Sequence, residues 1–437
     1  MQNKHILSLI LANILWSLIP VIVIGLFREL SIITIIFLRF FVSGIILFAL
    51  AILYTIINNK YTSNEPISIK ELFKFIVSKN ESFFNMRFVF YCAIIGFFGI
   101  VLQIIFFFLA LKITTISLTM VGFQLSIIFI VLYEHGSQSE RLDIFKGLYI
   151  LILFFSIGII VIIKAQESSA TNTAFSILGF FYIIFFTITL FFLQITIDRD
   201  SYSKNEIILI NRNPNYKIPR LLIKISLTFF CGITLMFPFI FILIPFQTSL
   251  TPEIIQFFVD LPIIFQILLK WEIIFLILFA TIIPYVLLFF AYTNWNPYNL
   301  SYRQWNSILN IIEPLGGLLF GVLFMVDTFP IGYLIIIIFL LTISILLRYI
   351  HESTNKVNAY LLLKQKRGNL TGLTLDILKF NGVNSIHALI GIHDMLVNVK
   401  TNSLRDFYSL VDEKLRKIEE IKSIKILFIN KINKFTT

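Results

Sequence analysis

The sequence predicts an all-α polytopic membrane protein, with about ten transmembrane helices in an inverted five-plus-five repeat. A small α+β ferredoxin-like domain of βαββαβ order follows on the cytoplasmic side. Three observations predict this. Hydrophobic residues make up 58% of the 437 and charged residues only 14%, where a soluble domain averages about 25% charged. The apolar residues gather in separate runs of roughly 20 or more, the length that crosses a hydrocarbon core about 30 Å thick. From His351 onward the pattern changes to the short alternations of a water-soluble fold. The domains are therefore expected at 1–350, with repeats near 5–165 and 174–350, and at 351–437.

In chain order the spans are expected at 6–27, 31–57, 88–111, 113–133, 145–164, 174–197, 221–246, 273–293, 302–326 and 329–350. Runs this continuous satisfy their own backbone as helices rather than barrel strands. The first run is too long for a signal-peptide core and reads as an uncleaved span. Pro252 to Lys270 is apolar but short, and it carries Glu253 and Asp260. It is either an interfacial helix or an extra span.

Lys and Arg gather in alternate loops. One face holds Lys4, Lys60, Lys70, Lys74, Lys79, Arg87, Arg141, Lys146, Arg199, Lys204, Arg212, Lys217, Arg220 and Lys224; the other holds only Arg28, Lys112, Lys164 and Lys270. The richer face is expected to be cytoplasmic, with both termini on it, in a multi-pass protein of the cell membrane. The formal charge of +11 is a matter of topology rather than of nucleic acid. Cys92 and Cys231 fall inside apolar runs, and the five histidines show no metal spacing. No Walker loop or dinucleotide fingerprint is present, so neither an enzyme nor a cofactor is expected.

Phe106–Leu111 and Leu287–Tyr292 are similar six-residue stretches, with Ala110 and Ala291 181 positions apart. Each is followed by a short link, a span, another link and a closing span. Five spans per half is an odd number, so the second half enters the membrane inverted. Secondary transporters are often built this way, with the substrate held at the midplane between halves.

A charged side chain at the bilayer centre costs roughly 3 kcal/mol even on lenient scales. Arg39 lies roughly 12 Å into the second span and Glu313 roughly 17 Å into the ninth. Each either has a structural partner, which could be the other, or serves function: Arg39 for a substrate carboxylate, Glu313 for a coupling proton. Arg303, Asn306, Asn310 and Glu313 fall within about 80° of one helix face, continued by Gly317 and Gly321. Such a stripe lines a cavity or glues helices. Pro314 removes a backbone donor and is expected to bend the helix there. Trp16, Gln103, Gln124 and Gln194 are further mid-span polar residues, each a pathway candidate or a packing residue.

Leu15-Trp16-Ser17 with Pro20, Phe37-Leu38-Arg39-Phe40, the turn from Ala110 to Ser117, and Ile312-Glu313-Pro314-Leu315 with Gly321 and Asp327 resemble the EamA group of drug/metabolite transporters. The likeness covers residues 5 to 350. Ile127 stands where that group usually has a proline, and the link from Asn294 to Asn299 is longer than usual. The resemblance implies export of amino acids or other metabolites, often against protons.

In the tail, strands are expected at Val357–Lys366, Val383–Ile390, Met395–Lys400 and Ser423–Asn430, with helices at Asn369–Phe380 and from a Ser403 cap whose capping-box partner is Asp406. The turn Gly391-Ile392-His393-Asp394 and the elements around it resemble the effector-binding domain of Lrp/AsnC regulators. This resemblance implies dimerisation through the sheets and amino-acid binding near Gly391, His393 and Asp394. The whole reads as a secondary transporter, an exporter of amino acids or similar metabolites with a sensing or dimerising tail. The alternative is a receptor that binds without transporting.

Overall fold

The computed structural model describes residues 2–61, 66–79, 85–138, 144–170, 177–197, 202–246, 248, 250–293, 302–354, 357–366, 370–380, 382–401 and 407–428. Among these, eleven helices are long and apolar enough to cross a membrane: α1 Lys4–Leu26, α2 Ile32–Lys60, α3 Phe88–Ile113, α4 Ile116–Tyr133, α5 Ile144–Glu167, α6 Ile177–Thr196, α7 Pro214–Phe246, α8 Thr251–Leu268, α9 Trp271–Tyr292, α10 Gln304–Leu323 and α11 Ile331–Glu352. Ten of these fall on the ten expected spans. The additional one, α8, is the segment whose role the sequence leaves open.

The chain divides into two compact units. One comprises Met1–Ile130, Ile150–Asn296 and Trp305–Ile345; the other comprises Val131–Tyr149, Pro297–Gln304 and Leu346–Thr437.

In the first unit, helices α1, α3, α9 and α10 depart from regular α geometry at positions that bear on the site. Helix α1 breaks at Leu18, between Gln2–Ser17 and Ile19–Leu26, because Pro20 has no N–H to offer the Trp16 carbonyl four residues back. Helix α10 breaks at Asn310–Ile311, between Tyr302–Leu309 and Ile312–Leu323. Pro314 is the cause, and its missing bond is the one to Asn310. The bend expected at Pro314 therefore lies one turn earlier, where the orphaned carbonyl is. The two breaks are neighbours, since a methyl group added at Gly316 would sit 2.5 Å from the Ser17 hydroxyl. Helices α3 and α9 each contain a π-helical stretch, Ile95–Val101 and Leu278–Ile282. Shifted back by the 181 residues separating Ala110 from Ala291, the second stretch covers 97–101, inside the first. A backbone irregularity thus recurs at the period that the side chains suggest.

Helices α3 and α7 meet backbone to backbone. A Cβ at Gly96 would lie 2.1 Å from the Thr228 carbonyl, and one at Gly232 would lie 2.6 Å from the Gly96 carbonyl. Only glycine permits that approach, the small-residue packing typical of helices in lipid. Helix α7 also begins earlier than expected. Lys224, counted in the sequence as a loop cation, is two turns inside it and buried, its ammonium 4.8 Å from the Phe289 ring centre and 5.4 Å from that of Tyr91. Arg220, likewise counted, is buried with Glu206 at 2.7 Å and surrounded by the rings of Phe75, Phe88 and Tyr202.

Two buried carboxylate clusters fasten helix starts. Glu253 accepts from the Ile32 N–H at 2.7 Å and from Lys112 Nζ at 2.5 Å, and Asp260 accepts from the Ser31 N–H at 3.2 Å and the Thr34 hydroxyl at 2.6 Å. Asp327 accepts from the Ser117 N–H at 2.7 Å and from its hydroxyl, and pairs with Lys164 at 2.9 Å. These carboxylates fill the donor positions that a helix N-terminus leaves open. In each case the carboxylate belongs to the second half of the membrane sequence and the helix to the first.

In the second unit, β1 Val357–Gln365, α12 Leu370–Leu378, β2 Val383–Ala388, β3 Met395–Thr401, a π-helical turn Ser409–Leu415 and β4 Ile421–Phe428 follow one another. The strands form one antiparallel sheet in the order β2-β3-β1-β4. Alternation places Ala359, Leu361, Leu363, Met395, Val397 and Val399 on one face, where they bury against Leu373, Ile377, Phe407, Val411 and Leu415. The strand limits match expectation within two residues; the expected Ser403 cap and Asp406 lie outside the described residues. The same unit holds Arg348, buried, paired with Glu352 at 2.7 Å and 5.8 Å from the Tyr149 ring.

Candidate functional site

Between the two helix breaks of the first unit lies a cavity. Its polar lining is Trp16 from α1, Arg39 from α2, Gln103 from α3, Gln194 from α6, Tyr285 from α9, and Asn306, Asn310 and Glu313 from α10. Apolar side chains including Ile104, Phe107, Phe123, Leu190 and Leu193 complete the wall. The space open to the centre of a water molecule is about 60 Å³, enough for a handful of waters at roughly 10–15 Å³ each.

Arg39 is held from one side only. Its Nε donates to the Thr281 hydroxyl at 2.6 Å and one terminal nitrogen donates to the Ala280 carbonyl at 2.8 Å. Both acceptors belong to the π stretch of α9, a geometry that recurs at functional sites. Thr281 is itself fixed by donating to the Leu276 carbonyl at 2.8 Å. The other terminal nitrogen, Nη1, is buried without a hydrogen-bond partner. This nitrogen is the part of the guanidinium that is left over on the cavity side.

Glu313 faces the same cavity, in the first turn after the α10 break. The two charges share the cavity wall, but no ion pair joins them among the described residues. The two act on one another through the field across the cavity, without a direct salt bridge. Asn306 Oδ1 and Gln194 Oε1 are also buried without partners. The cavity thus presents one unmatched cationic donor, one carboxylate and two unmatched acceptors.

Trp16, Arg39, Gln103, Asn306, Asn310 and Glu313 are brought together here. Gln124 is not in the lining; it is buried elsewhere in the unit, with neither end of its amide bonded. The Arg303 side chain lies outside what is described. Gly317 and Gly321 serve packing, since a Cβ at each would meet Met120 and Ile116 of α4. Sequence reasoning missed Tyr285, whose ring sits edge-on to Trp16 at 5.5 Å. A hydroxyl beside Pro284 in mid-span was the available signal.

In the tail, Gly391 adopts a φ of +150° at the exposed tip of the β2–β3 hairpin. Asp394 closes that hairpin. It accepts from the Leu389 N–H at 2.8 Å and donates its own N–H to the Leu363 carbonyl at 2.9 Å, while its carboxylate accepts from the Gln365 N–H at 2.6 Å. His393 is half-buried beside it.

Residues 3–162 match the model of the EamA-like transporter family. No curated protein matches the chain. A solved structure titled "Crystal structure of protein" is similar with a TM-score of 0.45 and 13% identity, over 80% of this chain and 98% of that one, a likeness too low to carry a fold across. The family match and the many apolar helices support a multi-pass membrane transporter of small molecules.

Proposed function

We propose that the protein is a secondary transporter, an exporter of small zwitterionic metabolites with amino acids foremost. The observation that carries this reading is the cavity at the paired breaks of α1 and α10. Discontinuous helices at the midplane of inverted repeats are the usual setting for substrate in such machines. The free donor of Arg39 suits a substrate carboxylate. Glu313, with Asn306 Oδ1 and Gln194 Oε1, suits an ammonium group, and the apolar wall takes a side chain. Glu313 is also the group placed to exchange a coupling proton. The termini are assigned to the cytoplasm by the loop charges.

Counterflow of radiolabelled amino acids in proteoliposomes tests this. Uptake against preloaded unlabelled substrate is expected, and binding without exchange would instead identify a receptor.

The tail, residues 351–437, is read as a ferredoxin-like module of the Lrp/AsnC effector-binding kind. Support comes from the β2-β3-β1-β4 order and the Gly391–Asp394 hairpin. Tyr360, Leu362, Leu396 and Leu427, off the packed face of the sheet, remain partly exposed and suit pairing with a second copy. Removal of residues 353–437 is expected to leave counterflow intact while abolishing its response to amino acid on the cytoplasmic side. Regulation that survives truncation would leave the tail a role in assembly only.

A further inference from the structure

Composition alone marks α8 as able to cross a bilayer, but its polar contacts return both its ends to one place. At its start, Glu253 bonds the Ile32 N–H and Lys112. Two turns later, Asp260 bonds the adjacent Ser31 N–H and Thr34. Just past its end, Lys270 pairs with Glu29. Glu29 and Ile32 are three residues apart and cannot be more than about 11 Å from one another. A straight helix from Glu253 to Lys270 would cover roughly 25 Å, most of the membrane's hydrocarbon core. A crossing would carry Lys270 to the face opposite Glu253, beyond reach of Glu29. The segment is also not one continuous helix: the stretch to Asp260 gives way at Leu261–Ile263, where Pro262 lacks an N–H, before a second short helix follows.

The two sides of α8 differ sharply. Glu253, Ile254, Phe257, Asp260 and Ile267 are buried, with the Phe257 ring 5.8 Å from that of Phe37 and 6.0 Å from that of Phe237. Outward, Ile255 is 62% exposed, Val259 61%, Phe265 80% and Leu269 78%. Trp271, 65% exposed, stands at the end of the segment, and tryptophan is enriched at membrane–water interfaces.

We infer that α8 is an in-plane interfacial helix whose carboxylate side clasps the ends of α2 and α3 and whose apolar side lies among lipid acyl chains. Amphipathic helices bind bilayers in this manner. The chain then crosses the membrane ten times, and its termini share a side.

The full-length protein, with Cys92 and Cys231 replaced by alanine and reconstituted in one orientation, provides the test. Pro252→Cys and Gln266→Cys, near opposite ends of α8, are expected to react with a membrane-impermeant maleimide from the same side. Reaction from opposite sides overturns the inference. A nitroxide at Phe258→Cys is expected to meet dissolved oxygen more readily than a water-soluble nickel chelate, as at shallow lipid depth. The reverse order places that face in water. Exclusion of both reagents means that protein covers it. Either outcome removes lipid as the partner.

Discussion

Arg39→Gln is expected to reduce binding and counterflow of a zwitterionic substrate by roughly 10- to 150-fold. The guanidinium has two jobs in different directions. Toward α9 it donates to Ala280 and Thr281, which fixes its position; toward the cavity its Nη1 has no partner. A hydrogen bond to a charged group contributes roughly 1.5–3 kcal/mol, and each 1.4 kcal/mol is tenfold in affinity. Arg39→Lys keeps the charge but not the fork of donors, so intermediate binding is expected with a sharper loss of thermal stability. A substrate analogue whose carboxylate is amidated should bind wild type and Arg39→Gln alike. If the variant discriminates against the amide as strongly as wild type does, Arg39 does not read the carboxylate. Glu313→Gln, in the same assay, is expected to flatten the pH dependence of exchange, and an unchanged profile removes it from proton coupling.

Asp327→Asn is the substitution expected to cost most stability. The carboxylate holds the Ser117 N–H and hydroxyl and also neutralises Lys164, and both residues of the ion pair are buried. Breaking a buried pair by removing one partner costs roughly 3–5 kcal/mol when the other charge is stranded; Lys164 keeps Glu167 at 2.8 Å and the Thr328 carbonyl, so the lower end of that range is expected. The melting temperature in detergent should fall by about 3 °C. Combining it with Lys164→Met removes both charges and is expected to recover part of that loss. If the double variant melts as low as the sum of the single changes, the pair is not coupled and Asp327 acts through Ser117 alone.

The membrane helices were legible because hydropathy reports length directly, and ten of the eleven helices fall on the expected spans. Arg39 and the Asn306–Glu313 stripe were legible for the same reason turned around: polar residues inside lipid stand out. Gln124 shows the limit, since depth in a span does not say which neighbour a side chain faces. Lys224 was misplaced because a lysine near a span end reads as loop, whereas rings from two other helices enclose it. The π stretches left no mark in composition, because a wider turn uses the same apolar residues. The role of α8 could not be read locally, as it depends on partners 141 to 241 residues away.

That separation in sequence becomes a separation in time when the chain is made. The Ile32 N–H waits for Glu253, 221 residues later, and the Ser117 N–H waits for Asp327, 210 residues later. At a synthesis rate of about 5–20 residues per second, the interval is roughly 10–45 s. By the later part of that interval the first five spans are made, and two of their helix starts still lack their final partners. The amino-terminal half is therefore provisional until the carboxy-terminal half has emerged, and a chain interrupted after α7 would still display unfinished ends.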